Sequence, residues 1–297
     1  MQLRKLTTER RNRATENLDA MSAMELVTAM NREDATVPRA IRPALPQIAK
    51  AVDLVARRLA QGGRLIYVGS GTSGRIGALD ASECAPTFGI SPEKVQFVIA
   101  GGENALVQAV EDSEDSAELG KSDMAARKPG KRDVVVGLAA SGFTPYTVSA
   151  LEHARNKGAA TIAIACNRGT ALGEAADIRI EVEVGPEVLA GSSRLKAGTA
   201  QKLICNMLTT GAMARMGYVY SNLMVNMYLN NKKLLERGIQ ILESLANVDR
   251  ALAVKTLEKA GTSVPLALVM LIAHVGKTEA ARRLRKSKGN VRKAIEG

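Results

Sequence analysis

The chain has 297 residues, a formal net charge of +11, 46% apolar and 3% aromatic content, and no Trp. That length and apolar content suit a main domain with helical attachments, and so few aromatic rings exclude base stacking or an aromatic sugar platform as the chief recognition mode. The excess charge is local, with eight Lys or Arg against one Glu between Lys277 and Lys293; it reads as a solvated helical face, so neither nucleic acid nor membrane is expected as a partner.

In chain order, residues 1–54 read as a helical segment. Thr7-Thr8-Glu9-Arg10 can open a helix as a cap, and Leu18, Met21, Met24, Leu26 and Met30 fall near helical spacing. A methionine stripe of this kind belongs to a core or a subunit interface. Pro38, Pro43 and Pro46 are expected to break the chain before a helix through Ile48, Val52, Val55 and Leu59. Apolar runs then follow at 65–68, 95–100, 134–138 and 161–165, with a weaker alternating one at 178–184, separated by helical stretches. Runs apolar at every position predict strands covered on both faces, hence an α/β fold with a parallel sheet sandwiched by helices. Helical periodicity resumes from Leu234 to Leu257, breaks at Gly261, and continues on either side of 287–290.

The N-terminus is polar and charged, without the apolar core of a signal peptide. The longest apolar run, Val264 to Val275, contains Pro265 and His274 and is too short to span a bilayer. Cys84, Cys166 and Cys205 are odd in number and lack metal-ligand spacing, so they read as reduced thiols in a cytoplasmic protein. Cys84 reads as a packing residue, and His153 and His274 as structural.

Three loops at strand C-termini carry the chemistry. The first run breaks into Gly69-Ser70-Gly71-Thr72-Ser73-Gly74 ahead of a helix. Unpaired N–H groups and a partial positive charge at such a helix start suit a phosphate, and Ser70, Thr72 and Ser73 add donors. The same glycines also fit a dinucleotide fingerprint. However, the second run ends in Gly101-Gly102 where that fold needs an acid, and Glu103 is a poor substitute. The third strand ends in a second hydroxyl turn, Ser141-Gly142-Phe143-Thr144, and the last loop places Ser192, Ser193, Arg194 and Lys196 before a long helix. Together these loops describe one anion site for a phosphosugar.

The turns GTS at 71–73 and SGFT at 141–144 resemble those of the sugar isomerase (SIS) domain. GPEVLAGSSRLKAGT at 185–199 resembles the signature shared by glucokinase regulatory proteins and bacterial N-acetylmuramic acid 6-phosphate etherases. LDASECAPTFG at 79–89, AVEDSEDS at 109–116 and TTERRN at 7–12 carry the likeness along the chain and favour the etherase family. The chain departs from many SIS domains in having Ala139 where they have Ser.

The resemblance implies an SIS domain over 55–218, a small helical domain within 219–297, and a homodimer whose subunits share the site. It implies that Thr72, Ser73, Ser141 and Thr144 hold the sugar phosphate, with no cofactor and no metal. It assigns Glu83, expected just after the first helix, as general acid, and Glu114, expected after a helical stretch from Asn104 to Val110, as the base. Asp112 and Asp115 read as solvated acids. The implied reaction belongs to cell-wall sugar recycling: β-elimination of a D-lactyl ether followed by hydration, giving N-acetylglucosamine 6-phosphate and D-lactate. The alternatives are a non-catalytic phosphosugar sensor and an aldose–ketose isomerase of the same domain family, and lactate release separates all three.

Overall fold

The computed structural model describes residues 6–108, 110 and 113–297. The chain divides into two compact units, one running to Ser82 and through Pro92–Thr209, the other made of Glu83–Ser91 and Thr210–Gly297.

The first unit begins with three single 3-10 turns, Thr7–Glu9, Arg13–Thr15 and Leu18–Ala20. Thr7 opens only a 3-10 turn, and its backbone N–H and its hydroxyl both donate to Asn167 Oδ1, at 2.8 and 2.9 Å. The first α-helix, α1 (Ala23–Asp34), starts instead at a capping box between Ser22 and Glu25. Pro38 lies in the first turn of α2 (Val37–Ile41), Pro43 in a 3-10 turn, and Pro46 in the first turn of α3 (Leu45–Ala60). These prolines open helices rather than break them, since a first-turn N–H has no intrahelical acceptor to lose. Along α3, Ile48, Ala51, Val55, Ala56 and Leu59 form one buried face. Each large side chain there contributes about 1.5–3 kcal/mol by leaving water.

The five expected strands are present: β1 (Leu65–Gly69), β2 (Val95–Ile99), β3 (Val134–Ala139), β4 (Ala160–Ala165) and β5 (Ile178–Glu181). They form one parallel sheet in the order β2-β1-β3-β4-β5, with Val68 opposite Val98 on one side and Gly137 on the other. Every residue of β1, β3 and β4 is buried. The helices between strands are α4 (Gly71–Phe88), α5 (Ala117–Ala126), α6 (Pro145–Asn156) and α7 (Ala171–Glu174), and α8 (Lys196–Met216) follows β5. One core joins Ile66, Val68, Val135 and Ala163 of the sheet to Tyr146 and Leu151 of α6 and to Leu172 of α7.

The chain leaves β1 toward one edge to make β2 and returns to β1's other side as β3, so the strand order reverses between β1 and β3. Ligands of open α/β sheets bind outside the strand C-termini at such a point, and both hydroxyl turns lie there. Close packing holds the first turn against the sheet. A Cβ built on Gly74 would stand 2.6 Å from Ile99 Cγ1 and 2.8 Å from Gly69 O, so only glycine lets α4 start so near the strands. At the opposite end of the same strands, Asp133 accepts from Arg64 N (2.9 Å), Arg64 Nη2 (2.7 Å) and Gly130 N (3.0 Å). Burial alone would raise this carboxyl, but the Arg64 guanidinium and the two backbone donors hold it below the usual carboxylate range.

The second unit contains a two-stranded antiparallel hairpin, β6 (Val219–Tyr220) with β7 (Leu223–Met224), which has no counterpart in the apolar pattern. Five helices follow: α9 (Lys232–Ala246), α10 (Arg250–Lys259), α11 (Val264–Ile272), α12 (Lys277–Lys286) and α13 (Val291–Glu296). The single periodic stretch read from 234 to 257 is two helices, separated at Asn247 in the left-handed region (φ 50°) and restarted by the Asp249 cap. Leu242, Ala253, Leu257, Val264, Leu268 and Val291 belong to a core of the unit's own. Pro265 sits in the first turn of α11, and among the described residues no single helix is long and apolar enough to cross a membrane.

Candidate active site

A cavity of about 640 Å³ opens where β1 and β3 end, with Ser70, Thr72, Ser73, Glu114, Ser141, Thr144 and Ser193 among its lining residues. The sequence-predicted hydroxyls therefore converge. They do so because α4 and α6 start from adjacent parallel strands and aim their N-termini at the same space. Thr144 is the N-cap residue of α6, yet its side chain accepts nothing from that helix, which leaves its hydroxyl and the helix start for a ligand. The Ser141 hydroxyl accepts from Phe143 N at 3.2 Å, shaping the second turn.

Ser73 is buried and donates to Gln201 Oε1 of α8 at 3.0 Å, while Gln201 Nε2 is buried without a partner among the described residues. Turning the Gln201 amide over lets Nε2 donate to Ser73 Oγ and frees the serine proton for an anion. The cradle thus offers hydroxyl and backbone donors, and no Lys or Arg stands among its lining residues.

Glu114 sits in the turn before α5; of the helical stretch expected from Asn104 to Val110, the described residues include one 3-10 turn, Glu103–Leu106. Its carboxylate Oε2 receives the Ser70 hydroxyl at 3.2 Å, and its backbone carbonyl accepts from Tyr146 N in the first turn of α6 at 3.1 Å. The Tyr146 hydroxyl donates in turn to Asp123 Oδ2 at 2.7 Å. Burial and Asp123 push that phenol well above its usual range, so it stays protonated as a structural donor. Glu114 is exposed.

Four predicted residues do not line the cavity. Glu83 lies inside α4, because that helix continues through Pro86 to Phe88. At a rise of ~1.5 Å per residue it is about 18 Å along the helix from the cradle turn. Lys196 is buried, and its ammonium pairs with Glu33 Oε2 at 2.5 Å. The start of α8, read as a third phosphate-binding helix end, is already occupied by a protein carboxylate. The fully buried Glu187 accepts from Lys196 N and Ala197 N, each at 2.9 Å. Burial raises the Glu187 carboxyl against those two bonds and the neighbouring ammonium, which pull it down. Ser192 and Arg194 flank Ser193 without joining the lining, and Arg194 is exposed.

Two lining carboxylates carry no substrate role in the sequence reading. Asp115, read as a solvated acid, follows Glu114 into the cavity, and Glu9 reaches it from the first 3-10 turn. Nothing in spacing or periodicity marks Glu9, although it belongs to the TTERRN stretch. Asp112 lies outside the described residues. Cys84, Cys166 and Cys205 are buried, and burial pushes the Cys166 thiol up to about 12, which fits packing and not nucleophilic duty.

Comparison with known proteins places the fold and the family. A family profile for the glucokinase regulatory protein N-terminal SIS domain matches residues 47–155, and one for the SIS domain matches residues 113–211. A phosphoheptose isomerase structure from Francisella tularensis superposes with a TM-score of 0.50 at 20% identity, covering 65% of this chain and 98% of that one, which is a likeness of fold. The chain is 51% identical to an N-acetylmuramic acid 6-phosphate etherase of Oenococcus oeni over 99% of both chains. It is 50% identical to one of Klebsiella aerogenes over 99% of this chain and 98% of the other. With half its residues shared along the full length of both, the chain belongs to the N-acetylmuramic acid 6-phosphate etherase family.

Proposed function

We infer that the protein is a carbon–oxygen lyase that cleaves the D-lactyl ether of N-acetylmuramic acid 6-phosphate, yielding N-acetylglucosamine 6-phosphate and D-lactate. The observation that carries the reading is Glu114, an exposed carboxylate held at 3.2 Å by Ser70 beside two helix N-termini at the sheet's switch point. The activity for which the family is named supplies the substrate.

The phosphate enters at Thr72 and Ser73 of the first turn and Ser141 and Thr144 of the second, beside the two helix starts, while the Ser70 hydroxyl is engaged by Glu114. Opening the sugar ring exposes an aldehyde at C1 that acidifies the C2 hydrogen. Glu114 removes that hydrogen, a second acid protonates the departing lactate oxygen, and water adds to the unsaturated sugar at C3. General acid–base help of this kind contributes typically about 10²–10⁴-fold per group. Arg194, exposed beside the cavity-lining Ser193, is assigned to meet the lactyl carboxylate.

Glu83 is assigned as that second acid, supplied by another copy of the chain in a homodimer. Three features support this. Glu83 stands too far along α4 to serve its own cradle, it is exposed, and it lies one turn beyond Leu79, itself 51% exposed. Separately, α1 buries no residue of its own and exposes Met24 (74%) and Val27 (54%), apolar surface that a partner can cover. The enzyme acts in the cytoplasm, in the recycling of cell-wall sugars.

Lactate release from N-acetylmuramic acid 6-phosphate tests the activity, since a sensor or an isomerase gives none. Glu83→Gln should abolish lactate release while C2 hydrogen exchange with solvent survives, and Glu114→Gln should abolish both. Lost exchange with retained lactate release in the Glu83 variant overturns the division of roles.

A further inference from the structure

The lining of the cavity poses a charge problem. Glu9, Glu114 and Asp115 are all acids, and no Lys or Arg stands among the lining residues to offset them. A phosphate dianion must keep clear of these carboxylates, because like charges about 4 Å apart repel by ~1 kcal/mol even in water and more in a cleft. It is therefore drawn to the hydroxyl turns and the helix starts. Glu114 has a role in the reaction. Glu9 has none.

Glu9 is held where it is by a built anchor. Asn167, 3% exposed beyond the end of β4, accepts from Thr7 N and Thr7 Oγ1 at 2.8 and 2.9 Å. Through Nδ2 it donates to Thr8 Oγ1, Ala140 O and Ser141 O, each at 3.2 Å. One side chain thus ties the N-terminal segment to the second phosphate turn. Further along the segment, Asn12 Nδ2 donates to Pro186 O at 3.3 Å and Thr15 Oγ1 to Val188 O at 2.8 Å. The segment is consequently fastened on both sides of Glu9. The Glu9 carboxylate lies against the 185–195 loop, where a Cβ on Gly191 (φ +79°) would stand 3.5 Å from Oε2. Among the described residues no hydrogen bond or ion pair engages that carboxylate, so its lone pairs are available to a ligand.

We propose that Glu9 is a specificity residue that reads the uncharged part of the sugar, accepting hydrogen bonds from its hydroxyl or acetamido N–H donors while the phosphate occupies the two turns. The proposal rests on the phosphosugar reading above. A carboxylate is acceptor-only, which matches a sugar rich in O–H and N–H donors and disfavours a second anion in the same place. The anchor at Asn167 makes the reading of both ends of the ligand rigid with respect to each other.

The test is binding of N-acetylglucosamine 6-phosphate and of inorganic phosphate, by calorimetry, to wild type, Glu9→Ala and Glu9→Gln, with melting curves to confirm folding. Losing a charge-assisted hydrogen bond predicts about 10- to 100-fold weaker binding of the sugar phosphate to E9A, with inorganic phosphate changed less than about 2-fold and E9Q between. Equal weakening of both ligands places Glu9 with the phosphate and overturns the proposal, and so does unchanged sugar phosphate binding. A wild type that binds neither ligand instead removes the phosphosugar reading itself.

Discussion

Replacing Glu187 with Ala strips two acceptors from the start of α8. Lys196 N and Ala197 N each lose a 2.9 Å bond to a fully buried carboxylate. A buried N–H left without an acceptor costs about 1–3 kcal/mol, so two of them set a gross loss of about 2–6 kcal/mol. The variant recovers part of this, because burial already opposes the charged form of Glu187, as the raised carboxyl records. A net destabilisation of ~2–4 kcal/mol lowers the melting temperature by roughly 5–15 °C for a unit of this size. Glu187→Gln keeps one accepting oxygen and should fall between. Thermal unfolding followed by circular dichroism reads the difference. A melting point for E187A within about 2 °C of wild type would refute the argument that this carboxylate, and no external anion, satisfies the end of α8.

Two further outcomes follow from single contacts. Ser70→Ala removes the hydroxyl that steadies Glu114, and kcat/KM for lactate release should fall about 2- to 10-fold, the worth of one ordinary hydrogen bond. An unchanged kcat/KM disconnects Ser70 from the reaction. Asp133 is held below its ordinary value of 3.8 by Arg64 and two backbone donors, so its stabilisation is present above that value and fades as pH falls through the depressed one. Urea midpoints of wild type and Asp133→Asn should therefore differ most at neutral pH and converge in acid. A gap that widens on acidification contradicts the sign.

The strand set, the doubly covered sheet and the hydroxyl turns were legible in the chain because continuous apolar runs and glycine–hydroxyl turns are local signals. Local signals misplace ends, however. Glu83 was expected beyond its helix, but α4 runs on to Phe88, since Pro86 late in a helix already started does not dictate where it stops. The prolines at 38, 43 and 46 read as breaks and prove to be helix openings, a distinction set by the position of the missing N–H within the first turn. The cationic loop before α8 read as a phosphate site, yet Glu187 and Glu33, distant from Lys196 in sequence or hidden by a loop, take its donors.

By itself, the order of residues determined that a parallel sheet would form with two hydroxyl-bearing turns at the ends of β1 and β3, because strand burial and turn chemistry are written within a few neighbouring residues. Only the tertiary structure decided that the third loop brings Ser193 alone to the cavity the two turns share, that Glu114 is met there by Ser70, and that Glu9 joins them from the N-terminal segment. Such meetings depend on the strand order β2-β1-β3-β4-β5 and on the five bonds of Asn167. No local pattern encodes which distant backbone a buried amide will hold.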